Sequence, residues 1–367
     1  MTVVIGGGGT GGHTSPGLAV AAVLRERGVD CAWIGSHQGV EARRAREYAI
    51  PFHPIPTGKL RRAWARENVR DLCLNFPAGI LAALALLRRL RPAVVFATGG
   101  FVALPVVIAA AAARVPIVVH EQTAVPGLAN RVAARFARRI AVTFPDTARW
   151  FPSAKVVVTG NPLRPELRGG TRGDALARFA LDPALPIVYV TGGAQGAQAI
   201  NRAVGEALPA LLEHAQIVHQ CGDNKTAGDR AWLQARRAAL PPALAARYTV
   251  LPFVTTELAG IYAAATLVVA RAGAGTVNEC CQLGLPALYI PLPGTRGDEQ
   301  TANARLVGRA GGCAILVQSD LSPERLTERV LALLADPRAL KEMGQRAQTL
   351  AIPDAAERLV ALLQEHE

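Results

Sequence analysis

Twice in this chain a short apolar run ends in clustered glycines and then enters a helical stretch. That repetition constrains the fold more than any other feature. Near the start, Val3–Ile5 runs into Gly6–Gly12, and Pro16–Arg27 reads as a helix closed by Gly28. In the second half, Ile187–Val190 runs into Thr191–Gly196, with a helix expected from about Ala199. Glycines let the backbone turn sharply and approach a ligand, and the first N–H groups of a helix favour an anion. Each opening therefore suits a phosphate, and two in one chain say more than either alone.

The strands expected around them are Cys31–Ile34, Ala93–Ala97, Ile117–Val119 and Ile140–Val142, then Gln216–Val218, Thr249–Leu251, Leu267–Val269 and Ala287–Ile290. Strands spaced by helices imply parallel, doubly wound sheets. With 367 residues the chain exceeds one core, so two α/β domains are expected. The prolines of Gly160-Asn161-Pro162-Leu163-Arg164-Pro165 mark the break between them. The boundaries read as 1–162, 163–345 and a terminal helix in 346–367 that could pack back on the first domain.

Charge separates the halves. Residues 1–162 carry 20 Lys and Arg against 8 Asp and Glu, whereas residues 163–367 carry 20 against 20. A nucleic-acid partner is disfavoured because aromatics make up only 5% and do not interleave with the basic groups as a base-stacking surface requires. An anionic membrane surface or a phosphorylated substrate fits better. The strongest candidate for membrane contact is residues 59–91. There Lys59, Arg61, Arg62, Arg66, Arg70, Arg88, Arg89 and Arg91 flank Trp64, Leu72, Leu74, Phe76, Ile80, Leu81 and Leu84. The same pattern also fits an amphipathic helix packed on a sheet. Ala78–Leu87 and Phe101–Ala113 are too short to span a bilayer, so no transmembrane segment is expected. Nor is a signal peptide expected before the first strand. The six cysteines show no metal-ligand spacing and are expected to be reduced thiols.

Gly7, Gly9 and Gly12 satisfy a dinucleotide-binding pattern, but the second strand ends Ile34-Gly35-Ser36-His37 with no acid to take a ribose. His13, just past the loop, is placed as a general base would be, or as a hydrogen-bonding residue of the helix start. Arg271–Glu279 follows another strand, and Glu279 suits either a ribose diol or open solvent. Asp298–Asn303 offers side chains suited to sugar hydroxyls, or a capped helix start.

The blocks GGGGTGGH, ATGGFVALP, HEQTAVPGLANR, GNPLRPEL, TGGAQGAQAIN, RAGAGTVNE, GLPALYIPLP and DEQTANA resemble, in order and over about four-fifths of the chain, those of the MurG family. The resemblance implies a GT-B fold, two Rossmann-like doubly wound domains facing across a cleft. It implies inverting transfer of N-acetylglucosamine from UDP-GlcNAc to the C4 hydroxyl of the muramyl sugar in undecaprenyl-pyrophosphoryl-MurNAc-pentapeptide (lipid I), giving lipid II for peptidoglycan. Such an enzyme would sit peripherally on the cytoplasmic face of the cell membrane.

Carried over, the resemblance makes Glu279 the ribose ligand, Gln300 the sugar ligand and Arg164 a donor contact near the hinge, with the Val254 backbone at the uracil. Thr10, Gly11 and Gly12 would face the donor sugar. Thr123, Ala194, Gln195, Gly196, Ala274, Gly275, Thr276, Val277 and Asn278 complete the donor set. His13, Gly99, Gly100, Phe101, His120 and Gln122 would meet the acceptor. His13 is the first choice of catalytic base and Glu121 the second. Helix-start N–H groups at Gly193–Gly196, with Arg164, would stabilise the departing UDP. No Asp-x-Asp motif is present, so neither a metal nor a cofactor is expected. Three positions depart from the family pattern: Ala194 and Ala272 stand where Ser is common, and Thr123 where Asn is. Ala194 can offer a phosphate only its backbone N–H. The competing readings are another lipid-directed UDP-sugar glycosyltransferase and an isomerase of the UDP-GlcNAc 2-epimerase kind.

Overall fold

The computed structural model describes residues 1–58, 71–223 and 228–365. It contains two compact units: Met1–Arg164 together with Ile352–Glu367, and Pro165–Ala351. The sequence positions Lys59, Arg61, Arg62, Trp64, Arg66 and Arg70 lie outside the described residues.

The first unit is built on β1 (Thr2–Gly7), β2 (Asp30–Ser36), β3 (Phe52–Ile55), β4 (Val94–Gly99), β5 (Ile117–Glu121), β6 (Arg139–Val142) and β7 (Val156–Val158). They form one sheet in the order β3-β2-β1-β4-β5-β6-β7, and every pairing is parallel. Alternate side chains point to opposite faces, so each face has its own core. Val4, Ile34, Val95 and Val119 pack with Ala83, Leu87, Val106 and Ala133 on one side. On the other, Val3, Ile5, Trp33, Phe96 and Val118 pack with Leu18, Val20 and Leu24. That second core also takes Leu359, Val360, Leu362 and Leu363 from the last helix, Ala355–Gln364. Burying each of these is worth about 1.5–3 kcal/mol.

The second unit repeats the plan with β8 (Ile187–Thr191), β9 (Gln216–Gln220), β10 (Tyr248–Leu251), β11 (Leu267–Ala270), β12 (Ala287–Tyr289) and β13 (Cys313–Ile315). Its parallel sheet runs β10-β9-β8-β11-β12-β13. Strand order reverses between β1 and β4 in the first unit and between β8 and β11 in the second. Ligands of doubly wound sheets bind at such switch points, outside the carboxyl ends of the strands.

Two expectations need correction. The first helix spans Gly11–Glu26, not Pro16–Arg27, because Thr10 caps it and its side chain accepts from the His13 N–H at 3.5 Å. Pro16 is tolerated so near the start. His13 thus stands in the first helical turn. Secondly, one helical stretch among the described residues, Cys73–Leu90, is long and apolar enough to cross a membrane by length and composition, with a mean hydropathy of 1.4. The uninterrupted apolar run is shorter, but the wider window includes only a few polar groups. Its helix, Phe76–Leu90, buries Gly79, Ala83 and Leu87 against the sheet and leaves Leu81 68% exposed.

Candidate functional site

In the first unit the site forms where β1, β4 and β5 end. Gly7 lies beside Gly99 in the register, and the β1 and β4 turns bring the helix start at Gly11–His13 against Thr98–Gly100. Gly99 adopts φ +100°, and a Cβ there would stand 2.9 Å from His13 Nδ1, so glycine permits the approach. His13 Nδ1 is 3.2 Å from the Thr98 carbonyl oxygen and 3.0 Å from Gln122 Oε1. Its Nε2 has no hydrogen-bond partner among the described residues, and the ring is half-buried. Thr10 and Gly11 are exposed, while Gly12, Gly100 and Phe101 are half-buried.

His120 and Gln122 were expected against the acceptor, yet they are 0% and 1% exposed. Gln122 Nε2 donates to the Thr98 and His120 carbonyls at 2.8 and 3.1 Å and lies 3.2 Å from His120 Nδ1. His120 Nε2 in turn lies 3.0 Å from the Gly160 carbonyl. Burial drives the His120 pKa down to about 4, against the raising effect of that carbonyl, so the ring is neutral at ordinary pH. Gln122 thus backs His13, and His120 backs Gln122.

Glu121 is also buried, and four donors converge on its carboxylate. Thr123 N and Thr123 Oγ1 meet Oε1 at 2.9 and 2.6 Å; Asn130 Nδ2 and Gly127 N meet Oε2 at 2.9 and 3.3 Å. That arrangement folds the 121–130 turn and engages both carboxylate oxygens. Thr123, expected at the donor, is spent on the same turn, its hydroxyl lying between Glu121 and the Val125 carbonyl oxygen at 2.7 Å.

Behind the first glycine loop lies Glu41, which the sequence reading passed over. Fully buried, it accepts from Gly9 N at 2.8 Å and from Ser36 N at 3.0 Å, with the Ser36 hydroxyl on the same oxygen as Ser36 N. An acid was sought at the end of β2; it comes five residues after Ser36 and turns inward. Its signal was hidden by that offset.

In the second unit the loop after β8 is held differently. Gly193 N donates to Thr191 Oγ1 at 3.0 Å, and Gln220 Nε2 donates to Gly193 O at 3.0 Å. Gly196, at φ +74°, passes so close to the Cys221 carbonyl that no Cβ fits. Ala194 and Gln195 are exposed, and among the described residues their N–H groups have no protein partner. They shortly precede the helix Gln198–Leu212, whose N-terminal end is the positive end of its dipole.

On the neighbouring strand, the turn after β11 leads into the helix Ala274–Leu283, which carries Glu279. Its Oε2 accepts from Tyr262 OH at 2.8 Å, and Tyr262 packs edge-on against Tyr189 at 5.5 Å between ring centroids. Tyr189 OH donates to Gln220 Oε1 at 3.1 Å. One buried chain of contacts therefore connects the carboxylate to the glycine loop. The tyrosines gave no sequence signal, because each sits in an apolar run and reads as core. Ala274, Gly275 and Thr276 are half-buried at this helix start, whereas Val277 and Asn278 face inward. Arg271 faces inward too, donating to the carbonyls of Ile290 and Pro291 at 2.9 and 3.2 Å and to Gln318 Oε1 at 2.6 Å. Burial lowers its pKa to about 10, still a cation. Gln300 Oε1 accepts from Leu292 N at 3.0 Å. Val254, past the end of β10, is buried, and Arg164 closes the first unit half-buried.

Residues 3–142 match the glycosyltransferase family 28 N-terminal domain and residues 187–359 its C-terminal domain. The UDP-N-acetylglucosamine–N-acetylmuramyl-(pentapeptide) pyrophosphoryl-undecaprenol N-acetylglucosamine transferase of Nocardioides sp. is 39% identical, covering 100% of this chain and 98% of that one. A transferase 2 of the same name from Bacillus thuringiensis subsp. konkukian is 38% identical over 92% of this chain and 93% of its own length. Among solved structures, Acinetobacter baumannii MurG superposes with a TM-score of 0.77 at 31% identity, covering 99% of each chain.

Proposed function

Since the chain belongs to the MurG family of glycosyltransferases, within glycosyltransferase family 28, we propose that it moves N-acetylglucosamine from UDP-GlcNAc to the C4 hydroxyl of the muramyl sugar of lipid I. The observation that carries the reading is the pair of sites at the β8 and β11 ends. Outward amides at Ala194 and Gln195 suit the diphosphate, and a Tyr262-held carboxylate at Glu279 suits the ribose. The second unit accordingly takes the nucleotide, with Val254, Gly196, Gln300 and the turn Ala274–Asn278 as its remaining donor contacts.

His13 is the base. The C4 oxygen forms a bond to the anomeric carbon as the bond to the β-phosphate oxygen breaks, and UDP leaves with that electron pair. The hydroxyl proton passes to His13 Nε2 and then to water. Gly99, Gly100 and Phe101 line the acceptor side. Helix-start amides offset the charge growing on UDP.

Membrane contact belongs to the same proposal. Leu74 and Leu81 are 63% and 68% exposed along the helical stretch Cys73–Leu90, which carries Arg88 and Arg89 in its last turn and is followed by Arg91. The opposite side of that helix is committed to the core through Ala83 and Leu87, which suits a helix lying in the membrane surface and opposes one crossing it. On the same unit Trp150 is partly exposed, with the Arg131 and Arg149 guanidinium groups 5.5 and 5.6 Å from its ring. This surface meets anionic lipid on the cytoplasmic face.

The test is product analysis with UDP-GlcNAc and a soluble lipid I analogue. UDP release that depends on the acceptor, with a disaccharide product, is expected. Release without acceptor would overturn the transferase reading in favour of the epimerase kind. Sedimentation with vesicles should show stronger binding when phosphatidylglycerol is included; equal binding to neutral vesicles removes the membrane arm alone.

A further inference from the structure

We infer that Gln122 and His120 are positioning residues that lock His13 in the tautomer protonated at Nδ1, which leaves Nε2 bare to receive the acceptor's proton. The inference rests on His13 as the base and adds what selects its reactive nitrogen.

Backbone carbonyls fix every assignment, since a carbonyl oxygen can only accept. The Thr98 carbonyl lies 3.2 Å from His13 Nδ1, so that nitrogen carries the hydrogen. The same carbonyl and that of His120 lie 2.8 and 3.1 Å from one end of the Gln122 amide, so that end is the NH2. The other end is then the oxygen, and it faces His13 Nδ1 at 3.0 Å. A flipped amide would set oxygen against two carbonyl oxygens and an N–H against an N–H. The Gly160 carbonyl, 3.0 Å from His120 Nε2, puts that ring's hydrogen on Nε2. Its Nδ1 lone pair is therefore free to accept from Gln122 Nε2 at 3.2 Å. Two amide hydrogens are shared among three acceptors, and each neighbouring group is consistent with the others.

The arrangement needs His120 neutral. A second hydrogen on that ring would confront the Gln122 NH2 and favour the flipped amide. Burial keeps the His120 pKa near 4, so the needed form persists wherever an imidazole base could work. The orienting role is the one a carboxylate plays behind a catalytic histidine elsewhere. Here it is filled by a neutral amide, so the imidazolium formed in the reaction gains two hydrogen-bond acceptors but no counter-charge.

Nitrogen-15 spectra of the full-length protein labelled at histidine test this directly, because protonated and bare ring nitrogens resonate far apart. At pH 8 His13 should show a protonated Nδ1 and a bare Nε2. Gln122→Met should move the pattern toward a mixture of tautomers, and kcat should fall about tenfold while the donor KM stays within about twofold. A wild-type spectrum with hydrogen on Nε2 overturns the inference, whether or not the variants fold. So does Gln122→Met with unchanged kcat and unchanged spectrum. His13→Gln with kcat within tenfold of wild type would instead sink the base assignment and leave the tautomer standing.

Discussion

The two glycine loops share a backbone plan and differ in what lies behind them. Both leave a central strand at a switch point and both open a helix. Behind the first is the Glu41 carboxylate, which takes the Gly9 N–H for itself. Behind the second are a threonine hydroxyl and the Gln220 amide, both neutral, and two amides remain outward. A buried carboxylate opposes a phosphate brought close to it, whereas neutral backing lets the helix end and the N–H groups act unopposed. Glycine content alone makes the loops look equivalent. Their backing is the reason the proposed reading gives the diphosphate to the second and leaves uncharged hydroxyls and His13 to the first.

The sharpest way to break that division is His13→Ala. If the first loop serves the proton transfer, kcat should fall by roughly 10²–10⁴ with the donor KM little changed. A loss below tenfold reduces His13 to positioning. Glu279→Gln, which still offers Tyr262 an acceptor, should raise the donor KM by about 10- to 100-fold and spare kcat. An unchanged KM would take the ribose away from the second unit.

Glu41→Gln probes the backing itself. Losing the charge that Gly9 and Ser36 share should cost about 1–3 kcal/mol in urea unfolding, with the donor KM unaffected. A raised donor KM would erase the contrast between the loops.

The last test concerns acid. Each unit buries a neutral histidine: His120, held near pKa 4, and His219, held near 3, in both cases chiefly by burial. Unfolding releases each to about 6.5, so the unfolded chain binds more protons below that pH. Stability is therefore full above about pH 6.5 and declines as pH falls. The decline from His120 levels off near pH 4, while that from His219 continues toward 3. Calorimetry across this range should show the second unit losing stability after the first has levelled; parallel curves would refute the difference.

The central strands and the glycine loops were legible because apolar runs ending in glycine leave few alternatives. The strands that escaped, Phe52–Ile55, Val156–Val158 and Cys313–Ile315, all lie at sheet edges. Edge strands are short, and Pro54 within the first of them is tolerated only there. At the sites, His13, Glu279 and the loops were visible as residue types in a motif. Glu41, Tyr189, Tyr262 and Gln220 were not, because they act through contacts distant in the chain. His120, Glu121 and Gln122 were found by motif, but their burial was not legible. A motif marks residues that matter without distinguishing those that touch substrate from those that hold others in place.

The helix Ala355–Gln364 belongs to the core of the unit that begins the chain. A ribosome delivers residues in order, so the apolar face that this helix covers, around Leu18, Val20 and Leu24, is made early and waits. The second unit is complete once Ala351 has emerged. Of the two units, the one translated first is thus finished second, and a chaperone that shields nascent chains would find its binding surface there until that helix has emerged.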